Sequence, residues 1–482
     1  MSLTTIRYWA SVHPSKIAVV HNDNAISYAS FANAITSTRL CLERLGLEEG
    51  ATVAIIIRDL VDSWVAVFAL QSLGMTTVCI RSVDLLGELA LGTLACVVTT
   101  DAERTSAALG ERDGAGHRII ELQRAVYSAQ ASPLVPFDGS DSTAGGHILY
   151  TSGTTGTYKK LLFPSALQSE RNQKGIGLSK MHEGTLYHAV NFGLWTAVGH
   201  RLPLRAWTAG AQVIFDQRDN WFDYFLDSGV THTVLTPTMA DELLSTVKSQ
   251  DETHNVKDFR LVISSGFLTW GTAQKLLRYI SCDLTNHYGS TETIDGALFF
   301  NITCEADLYW LSTSAEAIVE IVNQEGAPSA INEEGEVRIA LSSLDCHEYM
   351  NNPDASAKVF REGYFYPGDM GVRREDGRIR VLGRNADVLN LGGQKLAVAP
   401  IEQNVQDILQ VTAACLFSGL NEAGQSEVVV AIESPKWPEA SRLDALGEEL
   451  SESFEQVRFA VVYPFPRTQT GTNKVNRVAL RK

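Results

Sequence analysis

The sequence predicts an α/β protein: a large N-terminal domain of layered β-sheets with packed helices, residues 1–384, followed by a small C-terminal α/β lid, residues 385–482. Three observations carry this expectation. Helix-period stretches alternate with short β-branched runs through the first half. The composition changes at an Arg/Asp/Gly-rich stretch, GRNADVLNLGGQK, that begins at Gly383. The length of 482 residues also exceeds what one hydrophobic core usually supports.

Taken in chain order, apolar residues recur at helical spacing over 27–45 and stop at Gly46, and 53–57 is an aliphatic run suited to a buried strand. A second helix over 63–73 stops at Gly74, and 77–80 supplies the next β-branched run. This repetition is the pattern of a doubly wound parallel sheet. Beyond the composition break, 411–417, 428–432 and 457–462 read as strands and 443–454 as a helix, enough for a separate small α/β layer.

A net charge of -16, with no basic run, excludes long nucleic acids as partners and leaves small phosphate ligands open. The seven scattered cysteines form no CxxC pair, which fits a reduced, cytoplasmic compartment. The amino terminus lacks the basic stretch and apolar core of a secretory signal. The most apolar stretch, 64–73, is shorter than the ~20 residues that span a bilayer, so it reads as a buried helix.

Four segments carry chemistry. YTSGTTGTYKK, 150–160, places hydroxyls, glycines and two lysines directly after an apolar strand end, a composition that grips phosphate through backbone N–H groups, hydroxyls and ammonium. Taken alone it reads sooner as a flexible polar loop, and it is not the GxxxxGK[ST] loop, because Thr157 and Tyr158 separate the second glycine from Lys159. NHYGSTET offers Tyr288 to cover a flat base, Gly289 for close backbone approach, Thr291 for a phosphate oxygen and Glu292 for Mg²⁺; a turn into a helix start is the alternative. EGYFYPGDMG puts Asp369 after a Pro-Gly turn, where its carboxylate can accept from two ribose hydroxyls, or simply close a turn. PRTQTGTNKVNR presents Lys474 on a Gly/Thr/Asn-rich loop, either reaching into a cleft or solvated.

In order and spacing these segments, with GRNADVLNLGGQK between the third and fourth, resemble the adenylate-forming superfamily of acyl-CoA synthetases, adenylation domains and luciferases. The resemblance runs from SYASFANAITSTRLCLERLGLEEGATVAI to the final lysine loop and includes GEVRIA and YMNNPDASAKVFREGYFYPGD. It implies that Thr151, Ser152, Gly153, Thr154, Thr155, Gly156 and Lys159 form a mobile pyrophosphate-contacting loop. Tyr288, with Gly289 beside it, would lie against adenine and Thr291 would contact the α-phosphate. Glu292 would bind Mg²⁺, Asp369 and Arg384 would hold the ribose, and Lys474 matches the catalytic lysine.

The implied reaction uses ATP and Mg²⁺ to turn a carboxylic acid into an acyl-adenylate, releasing pyrophosphate. Rotation of a mobile lid would then bring Gly392 and Gly393 to line a thiol passage. An ordinary β-turn is the alternative for those two glycines. Coenzyme A is the expected acceptor, a separate acyl carrier protein the alternative, and from another class a nucleotide-binding sensor that has lost catalysis. The sequence ends five residues beyond Arg477, so a stand-alone ligase is expected. Amino-acid-activating relatives place an aspartate in an FDxS-like stretch; the nearest candidate here is VNFGLWT, with Asn191, which favours a neutral acyl or aryl acid. Phe192, Trp195, His200 and Trp207 read either as pocket lining or as core. The chain departs from the family at Tyr158 (usually Pro), Lys160 (usually Gly), Asn473 (usually Gly) and the hinge residue Ala386 (usually Asp or Lys).

Overall fold

A computed structural model of the chain describes residues 3–110, 117–152, 158–247, 256–294, 296–314, 317–384, 388–391, 394–420, 426–451, 454, 456–467 and 475–480. By packing, the chain forms two compact units, 1–234 with 342–356, and 235–341 with 357–482. The sequence-derived boundary after residue 384 falls inside the second unit, at the end of strand Ile379–Arg384.

The first unit holds two mostly parallel sheets. One runs Ile119–Glu121, Cys96–Thr99, Thr52–Ile56, Thr76–Cys79, Gly146–Ser152 and Tyr158–Pro164, parallel until the last, antiparallel pair. The other places Leu186–His188 and Gln212–Phe215 beside Ile17–His21, with Asn24–Ser27 antiparallel at the edge. The expected helix over 27–45 is Tyr28–Glu43, because Ser27 is its cap: the hydroxyl accepts from Ser30 N at 3.2 Å. The expected helix over 63–73 starts three residues earlier, at Leu60, because Asp59 accepts from the amides of Val61 and Asp62. That helix is buried on nearly every side, and Trp64, Phe68, Phe31 and Trp207 interlock around it with ring centroids 5.1–6.1 Å apart.

In the second unit, Val256–Ser264 and Ser281–Tyr288 pair in parallel, and Leu298–Asn301 returns antiparallel to the latter. A separate antiparallel sheet is built on Glu334–Ala340, Asp369–Arg373 and Ile379–Arg384. The C-terminal segment has its own core. Helix Ala399–Leu409, strands Ala414–Leu420, Ser426–Glu433 and Val457–Val462, and helix Ala440–Ser451 enclose Val405, Leu416, Val430, Ile432 and Leu446.

The strand expected from residue 411 begins at Ala414 instead. Gln410 leaves the preceding helix in the left-handed region (φ 56°), and Val411 and Thr412, β-branched though they are, form the exit from that cap. All seven cysteines are free thiols. Among the described residues no helix is long and apolar enough to cross a membrane.

Candidate active site

The first element is a hairpin root. Strands Gly146–Ser152 and Tyr158–Pro164 pair Thr151 with Lys159 and Ser152 with Tyr158. Gly153, Thr154, Thr155 and Gly156 lie outside the described residues. Lys159 stands with its ammonium 4.8 Å from the ring centre of Tyr349. Its neighbour Lys160, where the family usually has glycine, is buried, and its ammonium donates to the carbonyls of Leu89 (2.6 Å) and Ala90 (2.7 Å), just beyond helix Asp84–Glu88. Two carbonyls left over at a helix end are thereby satisfied by a cation, the favourable sign for that terminus. Tyr158 packs edge-on against Tyr150 at 5.7 Å.

The second element lies at the carboxyl end of strand Ser281–Tyr288, which pairs in parallel with Val256–Ser264, the end at which open α/β sheets present ligand sites. Gly289 leaves the strand where a Cβ would meet Gly296 Cα at 2.8 Å, so close backbone approach selects glycine there. Glu292, one of the next few residues, is buried, and one of its carboxylate oxygens accepts from the Ser290 hydroxyl.

Asp369 meets this strand end from the neighbouring sheet. It follows Gly368 (φ 80°), the left-handed third position of a Pro-Gly turn, and opens strand Asp369–Arg373. Its carboxylate is buried and accepts from the Tyr288 hydroxyl at 2.5 Å. Arg384, its cross-strand partner, places Nε 3.6 Å from the other carboxylate oxygen, an ion pair rather than a hydrogen bond. Desolvation, and then the charge of Asp369, holds the Tyr288 phenol well above the usual tyrosine range, so it remains a donor.

The third element is the root of the C-terminal loop. Lys474 lies outside the described residues, but both ends of its loop are anchored. Arg467 and Val475 form a β-bridge, and Asn476 N donates to Pro466 O at 2.7 Å. Glu433 accepts from Phe465 N at 2.8 Å and from the Arg467 guanidinium. Arg477 donates to Glu402 Oε1 at 2.7 Å and again to Oε2, a two-pronged pair whose carboxylate also accepts from Leu416 N at 2.6 Å. The hinge and passage residues Ala386, Gly392 and Gly393 lie outside the described residues.

The structure thus brings Tyr288, Gly289, Glu292, Asp369 and Arg384 to one end of the second unit, and Thr151, Ser152 and Lys159 to one hairpin of the first. Thr291 lies in the turn between Gly289 and Glu292. Phe192, His200 and Trp207 are core residues. Trp195 is partly buried and lies across Gly193, where a Cβ would come within 2.2 Å of its ring.

Sequence reasoning passed over several supporting residues. Gly296 makes room for the His287 ring, whose Nε2 would lie 1.6 Å from a Cβ there, and the same ring bonds Ser264 Oγ through Nδ1 at 3.1 Å. Glu402 and Glu433, each burying a carboxylate against an arginine of the terminal segment, carried no local motif.

The sequence model of the AMP-binding enzyme family matches residues 6–344. The chain belongs to that family. Among relatives of the AMP-binding chain, a 4-chlorobenzoate--CoA ligase of Arthrobacter sp is 24% identical, over 99% of this chain and 94% of that ligase. A 2-succinylbenzoate--CoA ligase of Geobacillus kaustophilus is 24% identical, over 83% of this chain and 82% of its own. The fold is that of the anthranilate CoA ligase AuaEII in complex with anthranoyl-AMP, with a TM-score of 0.82 at 18% identity over 99% of this chain and 96% of that one. It is likewise that of the Bacillus subtilis o-succinylbenzoate CoA synthetase MenE, solved with its acyl-adenylate OSB-AMP, with a TM-score of 0.82 at 18% identity over 99% and 98% of the two chains. The α/β architecture with a small C-terminal domain is shared with these enzymes.

The residues in place fit a magnesium nucleotide. Glu292 is a buried carboxylate, a hard oxygen donor of the kind Mg²⁺ takes. That is the donor set expected where the nucleotide phosphates and water supply the remaining oxygens around Mg²⁺.

Proposed function

We propose that this protein is an AMP-forming acid–thiol ligase. It activates a carboxylic acid with ATP as the acyl-adenylate, releases pyrophosphate, and passes the acyl group to coenzyme A. The observation that carries the reading is the Asp369 carboxylate, framed by Tyr288 and Arg384 at the strand end that leads into Thr291 and Glu292, in a chain of the AMP-binding family. Two of the relatives, matching 99% and 83% of this chain, bear the names of CoA ligases for aromatic acids, and the nearest candidate for the aspartate that pairs a substrate ammonium is Asn191, which carries no carboxylate. A neutral aryl acid is therefore the proposed substrate.

In the first step a carboxylate oxygen forms a bond to the α-phosphorus as the bond to the bridging oxygen of pyrophosphate breaks. AMP thereby becomes the leaving group that a bare carboxylate lacks. Asp369 accepts from the ribose hydroxyls with Arg384 beside it, Tyr288 lies along the base, and Gly289 allows close approach. Thr291 donates to an α-phosphate oxygen. Thr151, Ser152, Gly153, Thr154, Thr155, Gly156 and Lys159 neutralise and hold the departing pyrophosphate, and Lys474 stabilises charge on the transferring phosphoryl group. Mg²⁺, held by Glu292, would supply further charge neutralisation at the phosphate oxygens.

In the second step a thiolate sulfur bonds to the acyl carbon and AMP departs. We assign this step to a lid comprising residues 385–482, turning at Ala386 and presenting Gly392 and Gly393 to a pantetheine arm. The seven free cysteines fit a reducing cytoplasm.

ATP–pyrophosphate exchange over a panel of benzoic, anthranilic and aliphatic acids tests the first step. The expectation is acid-dependent exchange that Lys474→Ala and Glu292→Gln reduce by at least about a hundredfold, the usual size for loss of a charge-stabilising group. Exchange unaffected by Lys474→Ala would remove that lysine from the mechanism, and no exchange with any acid would leave a nucleotide-binding module. Mass detection of the thioester after addition of coenzyme A tests the second step. Adenylate without thioester would move the acceptor to a carrier protein.

A further inference from the structure

The hydrogen bond between Tyr288 and Asp369 joins two residues that the reading above uses for different parts of the nucleotide, the ring for the base and the carboxylate for the sugar. Tyr288 closes strand Ser281–Tyr288 and Asp369 opens strand Asp369–Arg373 in another sheet, so no local sequence rule couples them. The phenol donates to Oδ2 at 2.5 Å, and the Arg384 Nε lies 3.6 Å from Oδ1. Each carboxylate oxygen is thus addressed by a different residue. A carboxylate rotates about its Cβ–Cγ bond in a broad, roughly two-fold well, so its own torsion fixes its plane poorly. A donor on one oxygen sets that plane, and with it the direction from which the group can accept from a vicinal diol. A bond to an ionised acceptor in a buried setting is of the stronger kind.

We infer that the Tyr288 hydroxyl is a positioning group for Asp369 and makes the site selective for ribonucleotides over deoxyribonucleotides. The inference rests on the proposal that Asp369 holds the ribose. It adds to that proposal a second role for Tyr288, independent of its ring: the oxygen acts through Asp369 on the sugar, and the ring acts on the base. Phenylalanine separates the two, because it keeps the aromatic face and removes only the donor.

The test is pyrophosphate exchange with ATP, 2′-deoxyATP and 3′-deoxyATP, on wild type, Tyr288→Phe, Asp369→Ala and the double variant, with thermal melting of each to confirm folding. Tyr288→Phe is expected to raise KM for ATP about tenfold, the usual scale for a lost hydrogen bond to a charged group, while kcat stays within about threefold. Discrimination against at least one deoxynucleotide should shrink by a similar factor. Added to Asp369→Ala, the Phe substitution should cost nothing further, since its effect passes through that carboxylate. If Tyr288→Phe leaves KM and sugar discrimination at wild-type values while Asp369→Ala raises KM, the positioning role is wrong and the ribose assignment stands. If Asp369→Ala itself leaves nucleotide KM unchanged, the ribose assignment fails and the inference falls with it. Additive effects in the double variant would also overturn the coupling.

Discussion

Lys160 shows how a single departure from a family pattern is absorbed. A glycine there would leave two helix-end carbonyls to find other partners, whereas the lysine reaches both with its ammonium and is buried in doing so. Burial lowers the Lys160 pKa, but the two carbonyl acceptors keep the charged form useful, and the residue holds the hairpin of strands Gly146–Ser152 and Tyr158–Pro164 against the segment after helix Asp84–Glu88. Lys160→Met keeps the aliphatic stem and removes the donor. It is expected to destabilise by about 1–3 kcal/mol, the range for leaving buried acceptors unsatisfied. Chemical denaturation measures this, and an unchanged midpoint and slope would show that the two carbonyls find other donors. From the sequence Lys160 was legible only as a departure from the family pattern, because its acceptors lie about seventy residues earlier in the chain.

At the scale of elements, the residues on either side of 468–474 are held by the small α/β core. Glu433 grips Arg467 on one side and Glu402 grips Arg477 on the other, each carboxylate coming from the small α/β core. Arg477→Ala would leave the buried Glu402 without its guanidinium, which is more damaging than never having had the pair. The expected result is a fall of about tenfold to a hundredfold in the exchange rate, with nucleotide KM changed less, since the loop rather than the nucleotide site loses its anchor. Arg477→Lys should recover part of the rate, because a lysine supplies the charge but not the two-pronged geometry. Steady-state exchange kinetics on the two variants measures both. Equal loss in kcat/KM for every nucleotide analogue would fit this account, and a loss confined to KM would contradict it. The strand read from residue 411 illustrates the limit of local pattern: Val411 and Thr412 have strand propensity, yet the left-handed turn at Gln410 spends them on leaving the helix.

For the whole molecule, three imidazoles are buried in the first unit. His147 lies flat against His200 at 4.1 Å, and His188 packs against Phe225 at 4.8 Å. Desolvation holds His147 and His188 at about 4, below the ordinary 6.5, and pushes His200 down as well. The folded state therefore keeps all three neutral at pH values where the unfolded chain would protonate them. Between about pH 6.5 and pH 4 the unfolded state binds more protons, so stability is complete above 6.5 and declines as the pH falls through this window. Melting midpoints recorded from pH 8 to pH 5, above the carboxylate range, should be level down to about 6.5 and then drop. A midpoint that stays level to pH 5 would mean that these rings are protonated in the folded protein too.

By itself the sequence determined the α/β class, the alternation of helix and strand near the start of the chain, the candidate nucleotide residues and the family, because those rest on local periodicity, turn chemistry and short motifs. Ser27 and Asp59 cap the starts of their helices, and Pro367-Gly368 makes its turn, through groups a few residues apart. Only the tertiary structure decided that Tyr288 holds Asp369, that Gly296 houses His287, that Lys160 caps a helix end and that Glu402 anchors Arg477. Each of those pairs, except His287 with Gly296, joins residues about seventy or more positions apart. Hydrogen bonds and steric fit act over a few ångströms of space and are indifferent to distance along the chain, so no motif announces them before the sheets have brought the partners together.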